Sequence, residues 1–433
     1  MTLRTSILAG SVLAAVCLTG VAIAQDQPAA APAPAAAEPA ADAAPAEPAL
    51  SPEATKGRYL ATAGNCITCH TAEGGKPFTG GLAFPTDFGT IYSTNITQDA
   101  ETGIGKWSLD DFKKAMRQGV RPDGAHLYPA FPYTSFTKLT DEDVAALYAY
   151  MKTLGAEAAP AKANTLKFPY NQRALMGVWK SLFFKEGTFK ADPAKSPEIN
   201  RGAYLVEGLG HCSACHSPRN FLGAEKDDAL LTGGVFNDKS AGGAIRQWSA
   251  TNLTQHATGL GGWDVEAINA YLKTGLSKRA TVFGPMNEVV MNSTKKLTDE
   301  DVKAMAVYLK QVPAKEGNSG SAPSKEQLTQ GETVYTIRCG TCHLPTGLGS
   351  ETLGPSLVGS AVAQAPSAST LINIILYGPK LPAPPAFSSP RKQMTPFADE
   401  MRDDEVAAVA SYVRNTWGNK AGAVSAADVA KQR

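Results

Sequence analysis

At 433 residues the chain exceeds what one hydrophobic core can organise, so two to four compact units are expected. Its 41 Lys and Arg balance 40 Asp and Glu, for a formal net charge of +1. That balance points to neither nucleic acid nor an acidic membrane surface, and bulk charge is silent about partners.

The N-terminus reads as a secretory signal over residues 1–24. Arg4 supplies the positive start, Ile7 to Val21 an apolar core, and Ala22-Ile23-Ala24 a small-x-small cleavage site. The apolar run is short for a membrane anchor and no stop-transfer pattern follows it. Cys17 is preceded by Ala14-Ala15-Val16 rather than a lipid-attachment box, and would leave with the signal. Residues 25–50 are nearly all Ala, Pro, Glu and Asp, the composition of a disordered tether.

Beyond the tether three similar stretches follow: a first unit at 51–160, a connector at 161–196, a second unit at 197–313, a linker at 314–324, a third unit at 325–418 and a tail at 419–433. Each unit opens on a segment with a small residue and a phenol, Gly57 and Tyr59, Gly202 and Tyr204, Gly331 and Tyr335. The glycines would let two helix backbones approach closely. Thr94-Asn95-Ile96-Thr97 with Trp107 recurs as Thr251-Asn252-Leu253-Thr254 with Trp263, which indicates a duplication. Each unit closes on an amphipathic helix. Two of these start at the N-caps Thr140 and Thr298, followed by acidic residues that suit the helix dipole, and the third starts near Arg402. Their apolar residues recur at helical spacing: Val144, Leu147 and Met151; Val302, Met305 and Leu309; Val406, Val409 and Val413.

The six cysteines after Cys17 all fall in one pattern. Cys66-Ile67-Thr68-Cys69-His70, Cys212-Ser213-Ala214-Cys215-His216 and Cys339-Gly340-Thr341-Cys342-His343 are each C-x-x-C-H. Two thiols a helical turn apart can add across the two vinyl groups of a haem, and the adjacent histidine then offers its imidazole to the iron. Three covalent haem c groups are therefore expected, with His70, His216 and His343 as proximal ligands. A zinc site would need two such pairs converging on one ion, and a thioredoxin-like motif a βαβ setting; neither explains a histidine after every pair.

Haem irons of this type take a second axial ligand, often methionine in a loop bounded by Pro or Gly. Met286 in Gly284-Pro285-Met286 fits the second unit and Met394 in Met394-Thr395-Pro396 the third, with Met291, Met305 and Met401 as weaker competitors. His211 and His256 read as packing or surface residues. No catalytic motif for substrate chemistry is present: no G-x-S-x-G, and no phosphate-binding glycine loop.

From Gly57 to Trp417 the chain resembles the trihaem cytochrome c subunits of membrane-associated alcohol, gluconate, fructose and aldehyde dehydrogenases of acetic acid bacteria and relatives. The resembling segments are Gly89 to Thr97, Leu127-Tyr128-Pro129-Ala130-Phe131-Pro132-Tyr133, Gly202-Ala203-Tyr204-Leu205 and Gly284-Pro285-Met286. The resemblance implies a mainly α fold of three tandem class I cytochrome c domains. It also implies an electron-transfer subunit in the periplasm, peripherally associated with the inner membrane, without substrate catalysis of its own. Its partners would be a catalytic dehydrogenase subunit of molybdenum, pyrroloquinoline quinone or flavin type, a small additional subunit, and membrane ubiquinone.

In the alcohol dehydrogenase branch the Tyr-Pro-Ala segment is followed by a methionine that looks like the sixth ligand of the first haem; here that position is Phe131. His126, in the same loop, is the replacement expected first, with Met116 and Met151 as alternatives. Phe131, together with Phe168-Pro169-Tyr170-Asn171-Gln172-Arg173 and Trp179-Lys180, brings the chain nearer to cytochromes paired with molybdenum-dependent aldehyde dehydrogenases. Two other readings stay open: a haem enzyme such as a peroxidase acting at an open first haem, and a freestanding periplasmic shuttle.

Overall fold

A computed structural model describes residues 49–239, 243, 245–317, 320–382 and 387–433. The expected signal, with Cys17, and the tether up to residue 48 lie outside the described residues. Leu50–Arg433 forms one compact unit.

The chain organises around three helix pairs. In the first, α1 (Pro52–Ala63) crosses α5 (Asp141–Met151); in the second, α7 (Pro197–Ala203) crosses α11 (Asp299–Leu309); in the third, α12 (Lys325–Arg338) crosses α15 (Asp403–Asn415). Ser51, Ser196 and Ser324 cap the opening helices through their side chains, with Pro52 and Pro197 supplying a preset first turn. Thr140 and Thr298 cap the closing helices as expected, each accepting from the backbone N–H three residues on.

The glycines sit at the crossings. A Cβ on Gly57 would lie 1.8 Å from the Ala146 carbonyl oxygen, on Gly202 2.0 Å from that of Ala304, and on Gly331 2.2 Å from that of Ala408. No side chain fits at those separations, so glycine is what lets the helix axes approach.

Short helices carry the pentads: α2 (Cys66–Cys69), α8 (Ser213–His216) and α13 (Gly340–His343). The first pair also encloses the strands β1 (Ala83–Thr86) and β2 (Gly89–Tyr92), then α3 (Leu109–Gln118) and α4 (Tyr133–Phe136); β3 (Thr165–Leu166), from the connector, joins the sheet beside β2. The β1–β2 hairpin is antiparallel, with Ala83 opposite Tyr92. The connector forms α6 (Leu175–Phe183). The second pair encloses the hairpin β4 (Gly234–Lys239) and β5 (Ile245–Ala250), then α9 (Val265–Thr274) and α10 (Met286–Asn292). The third encloses α14 (Ser369–Tyr377), and α16 (Ala426–Ala430) ends the chain. The helix α7 passes directly into a π-helical turn, Tyr204–Leu209, a feature with no sequence signal of its own.

The cores divide unequally. One continuous apolar cluster takes Leu60, Val144 and Leu147 from the first pair together with Leu205, Val302 and Leu309 from the second. The third pair builds a separate cluster around Tyr335, Leu376, Val406 and Val413. The first two pairs are also tied by matching polar contacts. The Tyr59 hydroxyl donates to Asp301 at 2.5 Å and accepts from the Thr298 N–H, while the Tyr204 hydroxyl donates to Asp143 at 2.6 Å and accepts from the Thr140 N–H. Each carboxylate also meets a cation from its own pair: Lys56 on Asp143 at 2.6 Å, Arg201 on Asp301 at 2.7 Å.

Candidate haem sites

Each pentad folds into a single helical turn, which brings its two cysteines to one side and leaves the histidine at the C-terminal end. All six cysteines are free. Burial, then the neighbouring Cys69, pushes the Cys66 thiol up to about 12. Burial followed by Cys215 pushes Cys69 to about 11 and Cys212 to about 12, and burial with Cys342 pushes Cys339 to about 11. Unattached, these thiols stay protonated. The first two units meet beside their pentads at His211: its Nε2 lies 3.4 Å from the Gly64 carbonyl and its ring packs edge-on against Phe136.

The decisive geometry is at the histidines. Nδ1 of His70 lies 2.7 Å from the Thr94 carbonyl, Nδ1 of His216 2.7 Å from the Thr251 carbonyl, and Nδ1 of His343 2.9 Å from the Pro355 carbonyl. A carbonyl only accepts, so each Nδ1 carries the proton and each Nε2 keeps its lone pair. Burial lowers the pKa of all three imidazoles, which keeps them neutral. A neutral ring held by its far nitrogen is the form that binds a metal.

This explains the Thr-Asn-x-Thr repeat, whose role was invisible in its spacing. Thr94 and Thr251 present the accepting carbonyls. Asn95 then donates to the Glu157 carbonyl at 2.7 Å and Asn252 to the Lys315 carbonyl at 2.8 Å, pinning each loop to the chain leaving the closing helix. The third unit lacks the repeat and uses Pro355; beside it Gly354 cradles the ring, since a Cβ there would come within 2.9 Å of His343 Cε1.

A cavity of about 820 Å³ opens beside the first pentad, lined by Cys66, Cys69, His70, Trp107, Met116, Phe131 and Met151 among others. That volume lies in the range of pockets that enclose organic cofactors, and its wall joins both thiols and the imidazole to apolar side chains. The residues present fit a covalently attached haem.

Of the expected second ligands, Met286 opens α10, half-buried against Val282, Val290 and Phe387. Met394 lies in a loop, half-buried on the third core. Met305 and Met401 are fully packed core residues. His126 does not line this cavity. Its Nδ1 lies 3.1 Å from the Lys180 ammonium and its Nε2 faces Gly177, away from the cavity. An ammonium only donates, so Nδ1 accepts, the proton sits on Nε2, and no lone pair remains for iron. The first cavity offers the sulfurs of Met116 and Met151 instead. Among the described residues no three His, Cys, Asp or Glu side chains gather around a common point, so the pentads do not pool into a zinc-type ligand set.

The family model described as "Cytochrome c" matches residues 54–155, and that described as "Cytochrome C oxidase, cbb3-type, subunit III" matches residues 326–413. The chain is 40% identical over 393 residues to the alcohol dehydrogenase (quinone) cytochrome c subunit of Gluconacetobacter polyoxogenes, covering 87% of this chain and 83% of the relative. It is 39% identical over 398 residues to the gluconate 2-dehydrogenase cytochrome c subunit of Pantoea cypripedii, covering 87% and 89%. The chain belongs to this family of dehydrogenase cytochrome c subunits. It is also 41% identical over 370 residues to a nicotinate dehydrogenase subunit of Pseudomonas putida, where 84% of this chain spans only 30% of the longer relative. As a cytochrome c the chain is a mainly helical electron-transfer protein with covalently bound haem c.

Proposed function

We propose that the protein is a trihaem cytochrome c built as three tandem class I domains. It accepts electrons from a separate dehydrogenase subunit that oxidises an aldehyde or alcohol, and delivers them to membrane ubiquinone. In this reading the signal at 1–24 directs export, and the mature chain works in the periplasm, peripherally on the inner membrane. Cys66, Cys69, Cys212, Cys215, Cys339 and Cys342 attach the haems; His70, His216 and His343 are the proximal ligands; Met286 and Met394 are the distal ligands of the second and third.

The observation that carries the reading is the repeated histidine-to-carbonyl bond, made by the first Thr of the repeat in the first two units and by Pro355 in the third. Haem supplies an iron that changes oxidation state by one electron. The chain fixes the tautomer and direction of each imidazole, walls the first site with apolar side chains, and joins the first two units beside their pentads through His211. No helix among the described residues is long and apolar enough to cross a membrane. The names of the relatives support a dehydrogenase as the electron donor.

The test is a haem count per chain with a redox titration of the complex as isolated. Three haems, three potentials and a co-purifying dehydrogenase subunit are expected; two haems, or a chain that purifies alone from its native membrane, overturns the assignment. Carbon monoxide addition separates the peroxidase reading, since rapid stoichiometric binding at one haem would mark a reactive open iron.

A further inference from the structure

The connector helix α6 carries apolar side chains on two opposite sides, yet only one of them is covered. Met176, Trp179 and Phe183 pack inward with Tyr133 and Leu222, and the Trp179 indole N–H donates to the Leu222 carbonyl at 3.0 Å. Leu175, Val178 and Leu182, at i, i+3 and i+7, form the opposite stripe and are 45, 60 and 64% exposed. Phe221, adjacent to Leu222, is 85% exposed, and Phe168, ahead of the helix, is 79% exposed. These five are half of the exposed large apolar side chains of the described residues. A helix with apolar side chains on opposite faces is stable when both are covered, and exposed apolar stripes mark interaction sites.

Charge identifies what covers it. Between Lys167 and Lys190 there are five basic residues, Lys167, Arg173, Lys180, Lys185 and Lys190, against the single acidic Glu186, in a chain that nets only +1. Among the described residues no carboxylate pairs with Lys167, Lys185 or Lys190. Apolar side chains flanked by unpaired lysines, whose ammonium heads can reach outward on flexible stems, are the makeup of a surface that enters the lipid headgroup layer. Bulk charge hid this because acidic residues elsewhere cancel it.

We propose that the outer face of α6, with Phe168 and Phe221, docks the protein on an anionic lipid bilayer. The inference rests on the peripheral-membrane part of the proposed function and names the surface responsible.

The experiment uses the full-length holoprotein, purified free of detergent. Sedimentation with vesicles of phosphatidylethanolamine and phosphatidylglycerol is compared with phosphatidylcholine vesicles, for the wild type, a Val178→Asp/Leu182→Asp variant and a Lys167→Gln/Lys185→Gln variant. Haem absorbance and far-ultraviolet circular dichroism confirm that both exposed-site variants remain folded. The wild type is expected to bind the phosphatidylglycerol vesicles, with at least about a tenfold loss of partitioning in the aspartate variant, and a smaller loss, mimicked by added salt, in the glutamine variant. If the wild type binds and both variants bind equally well, the face is wrong while the membrane reading stands. If the wild type fails to bind phosphatidylglycerol vesicles, lipid docking itself falls. A dehydrogenase subunit lost on purification of the aspartate variant would then mark the face as a protein interface.

Discussion

Tyr59 and Tyr204 each cross to the carboxylate of the other helix pair, whereas the third pair keeps its phenol at home: Tyr335 donates to the Leu344 carbonyl at 2.6 Å. Two residues beyond the crossing glycine stand Tyr59, Tyr204 and then Thr333; one residue before it stand Lys56, Arg201 and then Gln330. The third pair has thus lost both halves of the device that ties the other two, and its Glu405 folds back to accept from the Arg402 N–H. It docks on the β4–β5 hairpin instead, through Ser249 with Thr370, Asn373 with the Gln247 carbonyl, and Arg246 stacked 3.7 Å from the Tyr377 ring. The same fold element serves as half of a fused pair in one place and as a separately cored unit in another.

The crossing glycines offer the strongest way to break that comparison. Gly202→Ala drives a methyl into the Ala304 carbonyl, and Gly331→Ala drives one into that of Ala408. Each is expected to cost about 3 kcal/mol or more, at the upper end for overpacking. The consequences should differ in extent. Because the first two pairs share one core, Gly202→Ala should lower the melting of both, while Gly331→Ala should release the third alone and leave the first two pairs at their normal transition. Calorimetry with haem absorbance followed in parallel reads this directly. A Gly331→Ala protein that melts as a whole would show the third unit to be fused after all.

Smaller effects come from the phenols. Tyr59→Phe or Tyr204→Phe removes a hydrogen bond to a carboxylate and should cost about 1.5–3 kcal/mol, seen as loosening of the first two units together. Tyr335→Phe loses a bond to a neutral carbonyl, about 1 kcal/mol, confined to the third. The pH dependence has a definite sign. Burial raises the Asp301 pKa, but hydrogen bonds from Arg201 and Tyr59 and the Arg201 charge outweigh it and hold the carboxyl below its usual range. A carboxyl depressed in the folded state contributes stability that is full above its unfolded pKa, about 4. That contribution is lost as pH falls through the folded value. The stability gap between the wild type and Asp301→Asn should therefore be constant near neutrality and shrink below about pH 4 in acid denaturation.

Much of this was legible in the sequence because local chemistry set it. The C-x-x-C-H spacing announces its own geometry, the caps at Thr140 and Thr298 follow from side-chain chemistry, and Gly57, Gly202 and Gly331 mark close approach before any crossing is seen. What stayed hidden depends on residues far apart in the chain. The Tyr59–Asp301 bond spans 242 positions, and a phenol in a helix looks the same whether it packs or pairs. The carbonyls at Thr94, Thr251 and Pro355 carry no side-chain signature, although the Thr-Asn-x-Thr repeat flagged two of them. The loop position of His126 fits a ligand, and only the arrival of Lys180 from the connector shows what its Nδ1 meets.

The gentlest test sharpens the difference within the fused pair itself. Phe131 lines the first cavity, and its ring packs 5.4 Å from that of Phe136. Phe131→Met exchanges one large apolar side chain for another and should cost less than about 1.5 kcal/mol. It should add one methionine–iron charge-transfer contribution and raise the potential of one haem, bringing the first unit into line with the second. His126→Ala, by contrast, should leave the haem spectrum unchanged, because the imidazole faces Lys180 and not the cavity. If Phe131→Met adds no such band, a sulfur already serves the first iron. Met116→Leu and Met151→Leu then decide between the two at the cavity wall, since removing the true ligand should lower that one potential and leave the Met286 and Met394 sites untouched.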